Sequence, residues 1–150
     1  MNKDLTSVTI GSPDSEYLII HVINREYPLS SDYYDGNWVK STIEVSAGGF
    51  TGKITASLRS EEFVKFMNEL SMLYEKLSGQ ANFTTMEEWL SITVVGDGLG
   101  HLEAQCKLSD NAPAGGGNTL YFTLHFDQTF IPGIIAGLNR ITTAFPVIGK

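Results

Sequence analysis

Phe50–Gly79 reads FTGKITASLRSEEFVKFMNELSMLYEKLSG, and the change of period inside it decides the fold. As far as Leu58 the chain alternates, with Phe50, Ile54, Ala56 and Leu58 on one face and Thr51, Lys53, Thr55 and Ser57 on the other. A strand turns successive side chains to opposite faces, so this pattern predicts a half-buried antiparallel strand. From Ser60 onward the apolar residues recur at three and four: Phe63, Phe66, Met67, Leu70, Leu73, Tyr74 and Leu77. That spacing draws one apolar stripe along a helix with charges opposite, and predicts a helix over about 60–78. Ser60 is placed as its N-cap, Glu61 and Glu62 suit the positive end of its dipole, and Gly79 sits where a C-cap glycine belongs.

Upstream, Leu5–Ile10 and Tyr17–Ile23 flank the turn-rich Gly11-Ser12-Pro13-Asp14-Ser15 and read as a hairpin. Trp38–Ala47 sets Val39, Ile43 and Val45 against Lys40, Thr42 and Glu44, and Gly48-Gly49 turns it into the quoted strand. Downstream, a short strand at Gln80–Thr84 precedes Trp89–Val95, Gly100–Leu108 and a strand through Leu120, Phe122, Leu124 and Phe126. A second helix is expected over about 130–144, with Thr129 as cap, Pro132 in its first turn, and Ile131, Ile134, Ile135, Leu138 and Ile141 inward. The pattern predicts an α+β protein: a mostly antiparallel sheet of about seven strands, sandwich-like or strongly bent, with two packed helices. No internal repeat or boundary interrupts it, so residues 1–150 are expected to make one domain.

Composition agrees. Hydrophobic residues are 42% and charged residues 18% of 150, which suits a globular chain with its own core. A net charge of −7 argues against a nucleic-acid partner, whose phosphates call for a basic face, and favours a basic one. The longest apolar runs are far short of a membrane span. Met1-Asn2-Lys3-Asp4 opens a polar segment with no apolar signal region behind it, so a bacterial-type cytoplasm is the expected compartment. Cys106, the single cysteine, excludes an intrachain disulfide and falls on a predicted buried face.

Catalytic signatures are weak. Gly96-Asp97-Gly98-Leu99-Gly100 is followed by a strand rather than a helix, so it reads as a hairpin turn and not as a phosphate loop. The Ser residues stand in no nucleophile elbow, and Glu61-Glu62 and Glu87-Glu88 lie at element starts, where solvation explains them. Centring the last hairpin on Ala114 pairs Leu108 with Leu120, Cys106 with Phe122 and Ala104 with Leu124 on the buried face. The same register sets Glu103 opposite His125 and His101 opposite Asp127 on the other face. Those four side chains form either two cross-strand charge pairs or a site for a divalent metal or small ligand. No cofactor is implied, and the protein is expected not to be an enzyme.

Asp32-Tyr33-Tyr34-Asp35-Gly36-Asn37-Trp38 has two readings. As a corner, Asp35-Gly36-Asn37 supplies turn geometry while Trp38 and one tyrosine plug the end of the core. As an interface, exposed tyrosines and carboxylates would meet a basic partner, and Asp32, Tyr33, Tyr34 and Asp35 are then the candidate residues. Asp97 is a further candidate on a separate turn.

Several of these motifs together resemble the WapI-type immunity proteins and their relatives. They are Asp35-Gly36-Asn37-Trp38-Val39, Phe50-x-Gly52, Leu58, the helix from Glu62 through Phe66, Leu70, Leu73-Tyr74 and Leu77 to Gly79, Gly100-His101, and Phe126-Asp127-Gln128-Thr129-Phe130. The resemblance spans nearly the whole chain. It implies a non-catalytic cytoplasmic protein that binds and neutralises a cognate toxin, and weak homo-oligomer formation is a further expected partner state.

Overall fold

The computed structural model describes residues 6–149. The expected polar opening Met1–Asp4 and the strand start at Leu5 lie outside the described residues. The first four strands are β1 (Ser7–Gly11), β2 (Tyr17–Arg25), β3 (Trp38–Ala47) and β4 (Phe50–Arg59). They pair in sequential antiparallel order as one sheet and lead into a helix, α2 (Ser60–Lys76). A one-turn helix, α1 (Tyr33–Gly36), interrupts the β2–β3 connection. The second sheet, also sequential, contains β5 (Ser78–Thr84), β6 (Leu90–Asp97), β7 (His101–Ser109) and β8 (Thr119–Asp127), and α3 (Ile131–Ala144) follows it.

The α+β expectation holds, with two corrections of detail. Eight strands replace about seven, because Ser78–Thr84 is a full strand paired along β6. The third helix, α1, is a single turn, too short for a hydrophobic period to reveal. An order of four strands and a helix occurs twice, although no repeat in sequence accompanies it. The buried residues of both halves form one hydrophobic cluster.

Each of the two long helices packs on an edge strand of a sheet. α2 packs on β5, where Glu69 Oε1 accepts the Asn82 N–H at 2.8 Å. α3 packs on β1, and Gly137 lets it approach so closely that a Cβ there would lie 3.0 Å from the Ser7 carbonyl oxygen. An unpaired strand edge is a template for pairing with another chain, and these contacts cover two of the four edge strands.

Helix ends depart from the sequence reading. Arg59, not Ser60, is the N-cap of α2: its backbone is extended and its N–H is held by Glu62 Oε1 at 2.9 Å. Ser60 is already helical, and its buried hydroxyl has no hydrogen-bond partner. Leu77 rather than Gly79 takes the left-handed C-cap position (φ 61°), where the Gly98 N–H holds its carbonyl at 2.8 Å. Tyr74 is exposed instead of facing inward. Phe130, not Thr129, is the N-cap of α3, with no side-chain bond, while Asp127 caps the 3-10 turn Gln128–Phe130 before it by accepting the Thr129 N–H at 2.9 Å. Phe50, assigned to the inner face of β4, is 67% exposed because the strand starts beyond the rim of the core.

Candidate interaction surface

The corner at α1 is built on a buried arginine. Val39 and Leu58 face the core, so alternation turns their neighbours Trp38 and Arg59, a register pair, to the opposite face. α1 folds over that face and buries Arg59 to 1% exposure. A buried guanidinium must be paired or desolvation makes it very costly. Here its Nε donates to Glu61 Oε2 at 2.5 Å, Nη1 to the Tyr34 carbonyl at 2.6 Å and Nη2 to the Tyr33 carbonyl at 3.0 Å. Three aromatic rings enclose its carbon centre: Trp38 at 4.8 Å, Tyr34 at 5.3 Å and Tyr33 at 5.4 Å. Trp38 is therefore half-buried against a cation, not a plug in the apolar core.

Asn37 is the second fixed point. Fully buried, it donates through Nδ2 to the carbonyls of Tyr33 at 2.8 Å and Ile148 at 2.9 Å, while Oδ1 accepts the Ile148 N–H at 3.0 Å. The segment after α3 is thus strapped across α1, and a Cβ at Gly36 would lie 2.5 Å from the tip of the Ile148 side chain, which would have to shift to admit it. Arg25 completes the frame by donating to the carbonyls of Gly36, at 2.7 Å, and Pro146. Its aim depends on a bulge: the register between β2 and β3 shifts between Val22 and Asn24, which brings Arg25 into phase with the inward Val39. The orphan carbonyls of this one-turn helix are satisfied by its own C-cap residue, Asn37, and by two arginines from elsewhere in the chain, Arg25 and Arg59.

The predicted partner-binding residues divide across this frame. Tyr33 and Tyr34 keep ring surface exposed, Tyr34 at 60%, and Asp35 is exposed beside them. Asp32 is exposed too, and its carboxylate caps α1 by accepting the Asp35 N–H at 3.0 Å. Asp97 lies on the β6–β7 turn. Its Oδ1 takes the N–H groups of Leu99 and His101, and its Oδ2 meets His101 Nδ1 at 3.0 Å. The Leu99 N–H is the main cause holding its carboxyl below the usual range. Sequence reasoning missed Arg59, Arg25 and the Ile148 segment. Only the lone arginine closing the outward phase of β4 was there to be noticed.

The second polar group falls in the expected register, with His101 opposite Asp127 and Glu103 opposite His125. His101, Glu103 and His125 line one open cleft together with Asp97, and Asp127 is not among its lining residues. His101 pairs with Asp97, His125 Nδ1 is 4.0 Å from Glu103 Oε1, and Asp127 accepts from Thr129. Among the described residues, no three His, Cys, Asp or Glu side chains are grouped so as to hold a metal ion. Cys106 is buried on the opposite face, and burial pushes its thiol up to about 12, away from thiolate chemistry.

Comparisons with known proteins bear on the whole chain. A family model described as the immunity protein WapI-like family matches residues 9–146. No curated protein matches. One solved structure, of trypanosoma bruciei MRP1/MRP2, is similar at 12% identity, covering 93% of this chain and 84% of that chain with a TM-score of 0.48. A likeness that distant carries no weight for function.

Proposed function

The chain belongs to the WapI-like immunity protein family, and from that membership we propose that it is a non-catalytic cytoplasmic protein that neutralises a cognate toxin by direct binding. The observation that supports a binding role at a particular place is the α1 corner. Tyr33, Tyr34, Asp32 and Asp35 are presented on backbone already fixed by Arg59, Asn37 and Arg25. A surface that does not have to order itself on binding loses less entropy, and tyrosine is a favoured contact residue because it offers a large rigid area with a polar tip. Asp97, committed to its own turn, is proposed as a lesser contact.

Co-expression with the toxin domain of a large toxin gene found beside this one tests this reading. Restored growth, together with co-purification of the two proteins, is the expected result. Continued toxicity with folded protein present in the cell would overturn it.

A further inference from the structure

The exposed side of the α1 corner continues beyond the residues assigned above. Starting from α1, the rings of Tyr33 and Tyr34 lie against Arg59, Arg59 is paired with Glu61, and Glu62 Oε2 accepts the Met86 N–H at 2.7 Å. These contacts set the turn at residues 85–89 on the other side of the first turn of α2. That turn exposes Met86 at 53% and Glu88, and its Glu87 Oε1 accepts from the Trp89 indole at 3.3 Å.

We propose that α1 and the 85–89 turn form one interaction surface, with Tyr34 and Met86 as apolar contacts, and that it receives an arginine-bearing basic segment of a protein partner. The inference rests on the binding-protein reading above and specifies its partner. Charge complementarity carries it. Asp32, Asp35, Glu61, Glu87 and Glu88 surround the surface, and the two cations beside them are engaged: Arg59 is buried and paired with Glu61, and Arg25 is bonded to the carbonyls of Gly36 and Pro146. Lys65, one turn along α2, is committed to Glu69 at 2.8 Å. A chain of net charge −7 therefore concentrates carboxylates beside exposed aromatic area. Such a field steers a cationic partner during encounter and weakens with salt.

The aromatic rings determine why arginine is favoured. Arg59 stacks on Tyr33 and Tyr34 from the protein side, and the exposed area of Tyr34 leaves ring surface for a second guanidinium. Guanidinium stacks on aromatic faces and forks onto carboxylates, whereas ammonium is a hydrated point charge.

Isotope-labelled protein titrated with octa-arginine and octa-lysine peptides provides the test. Amide shifts confined to residues 32–36, 59–63 and 85–89 are expected, with octa-arginine binding about two- to fivefold tighter. Tyr34→Leu, which also removes a ring from Arg59 and should melt somewhat lower, should erase that preference while its amide spectrum stays folded. The Glu87→Gln/Glu88→Gln double variant should weaken both peptides with an unchanged melting profile. Shifts centred on Asp14, Asp97 or Asp110, equal affinity for the two peptides, or no binding would overturn the proposal. The two readings separate under co-expression. Wild type that protects, alongside variants that protect equally well, sinks this surface and leaves the immunity reading standing. Wild type that fails to protect sinks the immunity reading, whatever the peptides show.

Discussion

Two polar groups stood out in this chain, and the structure treats them oppositely. The α1 corner draws Arg59, Asn37, Arg25 and the Ile148 segment into a buried network in which three helix carbonyls and a strap of backbone are held by side chains. The row His101, Glu103, His125 and Asp127 lies in the predicted register on an open sheet face, each member tied to a near neighbour or to its own turn. A correct register places side chains opposite one another without making a site of them. What makes the corner a construction is desolvation: a buried charge is tolerated only if its donors are satisfied, so its partners are fixed with it.

Breaking the network at its centre should therefore have the largest effect. Arg59→Met removes the cation, leaves the Tyr34 carbonyl and Glu61 without their arginine donor and the Tyr33 carbonyl with Asn37 alone, and should cost about 3–5 kcal/mol in urea unfolding. Arg59→Lys should recover only part of this, since one ammonium cannot fork onto two carbonyls and a carboxylate while stacking on three rings. A loss below about 1 kcal/mol, as for surface pairs, would show that the corner is no more built than the histidine row. Asn37→Ala comes next, at about 2 kcal/mol, because it unties the Ile148 segment from α1. Its effect should be accompanied by faster amide exchange at Ile148.

The legibility of the two groups ran the other way. The histidine row could be read from sequence because a strand has a period of two and the β7–β8 hairpin is symmetric about Ala114. The long α2 stripe and most of the antiparallel strand framework are readable for the same reason, since periodicity repeats over many residues. Nothing periodic marks the corner. Arg59 looks like any outward strand residue until α1 covers it, and Arg25 points inward only because a bulge after Val22 shifts its phase. Asn37 bonds across 111 positions of sequence to Ile148. Ser60, Gly79 and Thr129 lie one or two positions from the caps the structure shows, Arg59 and Leu77 for α2 and Phe130 for α3, because composition near a helix end does not fix which residue leaves the helical backbone.

The corner also carries a titratable group whose environment should appear in stability measurements. Glu62 sits between α2 and the 85–89 turn, and burial is the main cause pushing its carboxyl up to about 7, against the two N–H bonds it accepts. Unfolding returns it to an ordinary carboxyl near 4.5, so the folded state binds the extra proton between those values. Its stabilising contribution is full below about 4.5 and is lost as pH rises through about 7. Glu62→Gln does not titrate, so wild type should lose on the order of 1 kcal/mol relative to it across that window, discounting for partial exposure. A constant gap between the two unfolding curves from pH 4 to 8 would contradict the assignment.

The smallest effect belongs to the histidine row, and it sharpens the comparison from the other side. His101 and His125 are exposed, and their carboxylate partners are solvated, so screening and side-chain entropy offset most of what the pairs gain. The His101→Ala/His125→Ala double variant should keep the urea midpoint of wild type within measurement error. Because Asp97 and Asp127 are engaged by the N–H groups of their own turns, added zinc should leave the melting temperature of wild type unchanged. A stoichiometric zinc-dependent rise that the double variant abolishes would mean that the row reorganises to bind metal, with Asp127 turning away from Thr129. Register would then have located a site after all, and burial would not be what separates the two groups.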